Sequence, residues 1–275
     1  MEKIRKNKKV IAVFLIPAVL IYLCFELIPV VMSVYFSFND WPGLQAVPLK
    51  FVGFKNYSNL FHNAVFLKSL QNVLIYVVVS VILQVPIGFG LGLLIHHFKK
   101  GQRFFKAAFF IPMILSVTAV ALLWNFIYFP TDKGILNSLL IKIGLGNYIQ
   151  QWLVNPKTSL ICLIVVSTWT SVGYYMIICL AGLTSIPDSV LEAGELDGAT
   201  GWKKIWNLYI PMLWEPLKMS TIMVITGVLK IFDTVYILTP TGGTSNCTIV
   251  PALLMYNEAY RYGHYGTGSA IATVI

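Results

Sequence analysis

The sequence predicts an all-α membrane protein. Of its 275 residues, 57% are hydrophobic and 11% are charged, whereas soluble domains carry about 25% charged residues. Mean hydropathy is +0.75, and several apolar runs reach the ~20 residues that a membrane-spanning helix needs. The net charge of +9 would also suit a nucleic-acid-binding protein. The basic residues lie where a membrane topology places them, however, so the expected surroundings are membrane lipid and no nucleic acid.

Five complete apolar segments follow a basic tail (residues 1–9), and we expect one span from each. They cover approximately residues 10–38, 70–95, 107–129, 159–183 and 212–236. The first run is too long for a signal peptide and lacks an A-x-A cleavage site, so we expect it to stay uncleaved. A sixth apolar segment starts near residue 266. Its last eight residues would reach only about 12 Å as a helix, so we expect that the sequence is truncated there.

Charge distribution predicts the orientation of these spans. Eleven Lys and Arg residues lie in the segments predicted to face the cytoplasm and seven in those predicted to lie outside. The bias has the positive-inside sign. It places the N-terminus and the loop of residues 184–211 on the cytoplasmic side of the plasma membrane.

The most polar segment between two spans, residues 186–211, predicts a helix–turn–helix on the membrane surface. Pro187 suits the first position of a helix, and Ser185 or a nearby turn residue can cap it. Gly198 breaks this helix, and a second short helix is expected over residues 202–209.

The same loop resembles the EAA signature, E-A-A-x3-G-x9-I-x-L-P, of the membrane subunits of bacterial ATP-driven importers. The matching residues are Glu192, Ala193, Gly194, Gly198, Leu208, Tyr209, Ile210 and Pro211. Gly replaces the second Ala of the signature, and Leu and Ile are exchanged near its end. On this resemblance the chain is identified as a permease subunit of a bacterial ABC importer, from the inner-membrane family of binding-protein-dependent transport systems. The resemblance implies a six-helix permease fold, with a single permease domain over residues 10–275.

The chain contains no G-x4-G-K-[ST] loop for ATP phosphates, and no residues spaced as a catalytic or metal site. The resemblance therefore implies that this subunit is not an enzyme and holds no cofactor, because ATP is used by a partner ATPase. The helix around residues 192–196 would dock in a groove of that ATPase. The implied coupling residues are Glu192, Ala193, Gly194, Asp197 and Gly198. Closure of the ATPase would move the fourth and fifth spans as rigid elements.

Resemblance to maltose-type permeases implies that the fourth and fifth spans line the solute path. The implied residues are Thr170, Ser171 and Tyr174 from the fourth span and Gly227, Val228 and Ile231 from the fifth. Tyr174 could stack on a sugar ring, or it could pack against a neighbouring span. Val228 and Ile231 are apolar where a sugar site would want polar groups. Either a partner permease supplies those groups, or the substrate is different.

Three further segments resemble the smaller permease of carbohydrate importers. They are FVGFKNYSNLF (51–61), WLVNP (152–156) and LTPTGGT (238–244). Such a permease works as a heterodimer with a second permease and receives its solute from an extracytoplasmic binding protein. The implied substrate is an oligosaccharide or a related carbohydrate, although carriers of glycerol phosphate share this pattern.

Three charged residues fall within predicted spans. Glu26 could reach the outer interface, pack against a neighbouring helix or have a functional role. Lys230 and Asp233 are three residues apart, so they could pair on one helix face or contact an anionic solute. Two other classes of protein remain as alternatives. An ion-coupled secondary transporter half would need more buried ionisable residues than these, and a non-transport membrane scaffold would not need the signature loop.

Overall fold

The computed structural model describes residues 8–44, 46–98 and 101–275. In chain order the helices and strands are α1 (Lys8–Tyr22), a π-helical turn (Leu23–Leu27), α2 (Ile28–Ser37), β1 (Asn39–Asp40), β2 (Lys50–Phe51), α3 (Lys55–His62), α4 (Ala64–His97), α5 (Gln102–Ile114), α6 (Val117–Ile127), α7 (Ile135–Lys142), a 3-10 turn (Gly146–Tyr148), α8 (Ser159–Thr184), α9 (Asp188–Leu196), α10 (Trp202–Lys204), a π-helical turn (Ile205–Tyr209), α11 (Ile210–Met212), α12 (Trp214–Leu229), α13 (Asp233–Leu238), a 3-10 turn (Thr244–Asn246), α14 (Pro251–Tyr256), a π-helical turn (Asn257–Arg261) and α15 (Tyr265–Val274).

The chain divides into two compact units, one of residues 1–67 and 254–275 and the other of residues 68–253. In the first unit, α15 packs along α2, and β1 pairs antiparallel with β2. The Asn56 side-chain amide donates hydrogen bonds to the carbonyls of Ser37 (2.8 Å) and Asn39 (3.0 Å). The hydroxyl groups of Tyr57 and Ser37 lie 2.6 Å apart. These bonds fasten α3 to the end of α2, which gives the Asn56-Tyr57 part of the FVGFKNYSNLF segment a structural role.

In the second unit, α4 and α8 approach each other closely because glycines line the contact. A Cβ atom on Gly88 would lie 2.8 Å from the Cβ of Tyr175, and one on Gly92 would lie 3.3 Å from the Cβ of Cys179. Small residues are what allow helix backbones to meet in a membrane. The second unit therefore has a helix pair at its centre, with Met176 of α8 fully buried.

Helices α5 and α8 are also in direct contact. A Cβ atom on Gly173 would overlap the carbonyl oxygen of Phe109, so no larger residue fits there without a backbone shift. This contact fixes the position of α8 relative to α5 as well as α4.

The predicted third span, residues 107–129, contains two helices. Helices α5 and α6 meet at an angle of 97°. Ser116 adopts an extended conformation (ψ 142°), and its hydroxyl oxygen accepts a hydrogen bond from the Ala119 amide at 3.2 Å. This is a side-chain N-cap, and it starts a new helix in a new direction.

Three helical stretches of the described chain are long and apolar enough to cross a membrane: residues 12–37, 64–97 and 159–184. The count rises to five if each bent pair, α5–α6 and α10/α11–α12, is one span. The second bent pair turns by 73°. The predicted span limits and the sixth span remain predictions.

The expectation that Lys230 and Asp233 share one helix face is wrong. Helix α12 ends at Leu229, residues 230–232 are not helical, and Asp233 starts α13. In the part of the chain that the structure describes, no ion pair joins Lys230 to Asp233. The break in the helix separates the two side chains.

Candidate coupling loop and solute path

The loop after α8 forms the predicted helix–turn–helix. At the end of α9, the amide of Gly198 donates to the carbonyl of Glu195 (3.0 Å), and the amide of Ala199 donates to that of Gly194 (2.8 Å). Gly198 adopts a φ of +83°, a conformation that only glycine reaches without strain. The chain then turns into α10, so the glycine of the signature is the helix stop that the sequence predicts.

The start of α9 differs from the prediction. Pro187 lies one position before the first helical residue, Asp188, and has an extended ψ of 139°. The Ser185 hydroxyl donates a hydrogen bond to the Gly182 carbonyl at 2.7 Å. Ser185 therefore closes the end of α8 and does not cap α9, because Pro187 occupies the position before the first residue of α9 and no side chain of the described residues caps that helix.

The predicted coupling residues lie on two sides of α9. Glu192, Ala193, Asp197 and Gly198 are exposed, whereas Gly194 is buried. A Cβ atom on Gly194 would lie 2.8 Å from Cδ1 of Leu208. Four of the five residues are thus exposed and available to a partner. The fifth, Gly194, packs α9 against Leu208 in the π-helical turn of residues 205–209.

Apolar contacts fasten this loop to the helices on either side of it. Ile186 is buried in one cluster with Leu183 of α8 and Leu213, and Leu191 and Tyr209 pack against that cluster. The Lys204 ammonium also forms an ion pair with Glu195 at 2.6 Å. A force on α9 would therefore reach the ends of α8 and α12.

Leu196 was not among the residues predicted from the sequence. Its side chain is 90% exposed at the tip of α9, next to Asp197 and Gly198. The available signal was a leucine inside an otherwise polar and small-residue turn.

Helices α4, α8 and α12 surround a cavity of about 240 Å³. Five of the six residues predicted for the solute path line it: Thr170, Ser171, Gly227, Val228 and Ile231. A second cavity of about 340 Å³ is lined by Tyr174 and Lys230 and shares Ser171, Tyr175 and Gly227 with the first. The structure thus places all six predicted residues around two adjoining cavities. Their role in transport remains a prediction.

The first cavity also has polar residues that the sequence did not single out for the path. They are Gln84, Ser167, Tyr175 and Thr234. Gln84 interrupts an apolar run, which is a visible signal. Its position opposite α8 depends on tertiary packing, which the sequence alone does not show.

The lining of these cavities can form hydrogen bonds and also offers apolar contact. The Thr170 and Ser167 hydroxyls donate to helix carbonyls at 2.8 Å and 3.0 Å, so their oxygens remain able to accept. Val120, Val224 and Val228 form an apolar wall of the same cavity. Pockets with an apolar lining and a few placed polar groups are typical of small-molecule sites.

A buried turn follows α13. The Asn72 side-chain amide donates to the carbonyls of Asn246 (3.0 Å) and Ile249 (2.9 Å). The Thr248 hydroxyl donates to the hydroxyl oxygen of Thr239 at 2.9 Å. The Asn72 bonds fasten residues 246–249 to α4, and the Thr248–Thr239 bond joins those residues back to the LTPTGGT segment that follows α13.

Residues 84–275 match the family model described as binding-protein-dependent transport system inner membrane component. The chain is also 36% identical over 275 residues to the probable ABC transporter permease protein YurN of Bacillus subtilis, covering 99% of this chain and 92% of that protein. It is 32% identical over 251 residues to the lactose transport system permease protein LacF of Rhizobium radiobacter, covering 90% and 83%.

A solved structure has the same fold. It is a bacterial ABC transporter involved in the import of the acidic polysaccharide alginate, with a TM-score of 0.83 and 22% sequence identity over 98% of this chain and 91% of that one. The similarity extends over nearly the whole of both chains.

Proposed function

This chain belongs to the binding-protein-dependent transport system inner membrane component family, and we propose that it is the permease subunit of an ATP-driven carbohydrate importer. It would form half of the translocation path for a sugar delivered by an extracytoplasmic binding protein. A second permease would form the other half, and an ATPase would bind at α9.

The observation that carries this proposal is the connection between α9 and the cavities. Helices α8 and α12 line the first cavity, and the loop that joins them presents the exposed side of α9. Loop and helices share one apolar cluster around Leu183 and Leu213. Movement imposed on α9 would therefore change the spacing of the cavity walls.

The carbohydrate part of the proposal has two supports. Relatives are named for lactose, multiple-sugar, alpha-glucoside and starch-degradation-product transport. The two cavities present hydroxyl groups, an amide and two tyrosines, and tyrosine rings can stack on sugars while their hydroxyls form hydrogen bonds.

An ion-coupled transporter is less well supported. Such proteins place ionisable residues inside the membrane domain. Within the described ranges, the buried polar side chains are all uncharged Ser, Thr, Asn and Gln residues. The energy source we propose is ATP hydrolysis on the partner subunit, with no cofactor held by this chain.

The test is ATP-driven sugar uptake by the whole complex in proteoliposomes, together with pull-down of the ATPase. Glu192→Lys reverses an exposed charge on α9, and Gly198→Arg places a large side chain in the turn. Asp132→Lys, an exposed charge reversal far from α9 in sequence, is the matched control. We expect both α9 variants to lose at least tenfold in ATPase retention and uptake, while the control keeps both. Normal retention and uptake in Glu192→Lys and Gly198→Arg would overturn the docking role.

A further inference from the structure

Gln84 is a polar side chain in an unusual position. It lies inside the 34-residue apolar helix α4, its residue is only 2% exposed, and it lines the cavity of about 240 Å³. A primary amide offers two donor hydrogens and two acceptor lone pairs. Burial of such a group without partners is costly, more so in a membrane domain where water is scarce.

No hydrogen bond joins the Gln84 side chain to any residue that the structure describes. Asn72, three turns earlier in the same helix and also buried, donates two hydrogen bonds to backbone carbonyls. Helix α4 thus uses one buried amide to hold a turn in place and directs the other towards the cavity. The Gln84 amide has its full hydrogen-bonding capacity available there.

The groups that share the cavity with Gln84 complement it chemically. Ser167 and Thr170 use their hydroxyl hydrogens on helix carbonyls, which leaves them chiefly acceptors. The amide adds donors to this set. None of the described residues lining this cavity is charged, so the set suits an uncharged group that both donates and accepts, such as a sugar hydroxyl.

Gln84 is also held firmly. Gly88, one turn later, brings the α4 backbone against Tyr175 of α8. A Cβ atom added to Gly88 would lie only 2.8 Å from the Cβ of Tyr175. The base of the Gln84 side chain is therefore fixed relative to the opposite wall. Such rigidity is what a specific hydrogen bond to a passing solute requires.

We propose that Gln84 is a specificity-determining residue of the solute path, whose side-chain amide forms hydrogen bonds with hydroxyl groups of an uncharged sugar ring in the first cavity. This inference rests on the proposed carbohydrate-import function and adds a contact from α4, a helix that the sequence did not assign to the path.

The test uses the complete complex, with this chain at full length, in proteoliposomes. Uptake of radiolabelled maltose, lactose, sucrose and raffinose is compared, and the sugar with the fastest uptake by the wild type serves as the probe. Gln84→Met keeps the length of the side chain without its amide, and Gln84→Asn keeps the amide on a shorter chain. Ser80→Ala is the matched control, because Ser80 is buried on the same helix, does not line the cavity and has no hydrogen-bond partner among the described residues.

We expect Gln84→Met to lower kcat/KM for the probe by about tenfold or more, the size of effect seen when a polar contact to substrate is lost. The kcat/KM of Gln84→Asn should lie between those of the wild type and Gln84→Met. That of Ser80→Ala should stay within about twofold of the wild-type value. A complete set of monodeoxy analogues of the probe then separates contact from stability. At least one analogue should be transported about tenfold less well by the wild type, yet no less well than the parent sugar by Gln84→Met, because the hydroxyl and the amide form one bond.

Three results would count against the inference or its basis. If Gln84→Met transports the probe as well as Ser80→Ala does, or if every deoxy penalty is the same in wild type and variant, Gln84 does not contact the sugar. If Gln84→Met fails to assemble in a pull-down, the same analogue comparison is made with Gln84→Asn, whose shorter amide should reduce the same penalty to an intermediate value. If the wild type takes up none of the four sugars, the proposed carbohydrate function is overturned first, and this inference with it.

Discussion

At the scale of single residues, Gly194 shows how this chain accommodates its departure from the EAA signature. Gly194 is a buried residue of α9 that faces the π-helical turn of residues 205–209. The nearest atom to an added Cβ would be Cδ1 of Leu208, at 2.8 Å. That atom is the far end of a flexible side chain. An alanine is therefore compatible with the same fold after a small rotation of Leu208.

The effect on stability of substituting Gly194 should depend strongly on the size of the new side chain. For Gly194→Ala we expect a change in stability within about 1 kcal/mol, because the helix-propensity gain of about 1 kcal/mol offsets the shift of Leu208. For Gly194→Leu we expect a loss of about 1–3 kcal/mol from overpacking. Thermal unfolding of the purified complex would measure both. Equal stability of the two variants would show that α9 does not pack on Leu208.

Asn72 should be among the costliest polar residues to replace. Asn72→Leu removes two hydrogen bonds and leaves the carbonyls of Asn246 and Ile249 buried, so we expect a loss of about 2–4 kcal/mol. The measurement is denaturant unfolding in detergent, with Ser80→Ala as the control in the same helix. A loss no greater than that of the control would mean that the turn after α13 does not depend on Asn72.

At the scale of whole elements, the exposed side of α9 has one large apolar side chain among small and charged ones. Leu196 is 90% exposed, while its neighbour Leu191 packs into the cluster that holds the loop. A few side chains that fill well-packed, desolvated pockets of a partner commonly dominate binding, and Leu196 is the most exposed large apolar side chain of α9. Helix α9 thus has an inner side that packs on the cluster and an exposed outer side, where we propose that the ATPase docks.

Leu196→Asp should weaken docking without loss of stability. We expect at least tenfold lower retention of the ATPase subunit, since an apolar anchor is replaced by a charge, with thermal unfolding unchanged within about 0.5 kcal/mol because the site is exposed. Ser189→Asp, also exposed on α9, is the control for added charge. Retention of Leu196→Asp equal to that of the control would place the docking contact elsewhere.

The elements could be predicted from sequence to the extent that local signals fix them. The long apolar runs predict helices that match α4 and α8 closely, and Gly198 predicts the end of α9. The bend at Ser116 was missed, although a serine cap followed by Val117 is a local signal, because an unbroken apolar run dominates the pattern. Gln84 is visible as a polar interruption, but its place in the same cavity as Thr170 depends on contacts between distant segments, such as that of Gly88 with Tyr175.

At the scale of the whole molecule, charge bias predicts which side of the membrane each loop occupies. The bias predicts that α9 faces the cytoplasm and that α7 lies outside. The ATPase docking that we propose for α9 requires this orientation, because ATP is cytoplasmic.

Cysteine labelling would test the orientation directly. In intact cells, a membrane-impermeant maleimide should modify Lys142→Cys at the end of α7 and leave Ser189→Cys on α9 unmodified. Both positions are exposed on the protein, and the charge bias predicts that they lie on opposite sides of the membrane. After lysis both should react. The parent chain, in which Cys24 is exposed and Cys162, Cys179 and Cys247 are buried, gives the background to be subtracted. Labelling of Ser189→Cys in intact cells would show that the predicted orientation is wrong and that α9 faces the outside.

Helices α8 and α12, which both line the first cavity, differ in how firmly they are anchored. Helix α8 is locked to its neighbours at Gly173 and Gly88, where no side chain fits between backbones. Helix α12 ends in a non-helical joint on each side, Leu213 (φ −92°, ψ 13°) and Lys230 (φ −95°, ψ 8°). We therefore expect that, when α8 and α12 move, α12 rotates about its two ends more than α8 does, so that the angle between the two helices sets the width of the cavity.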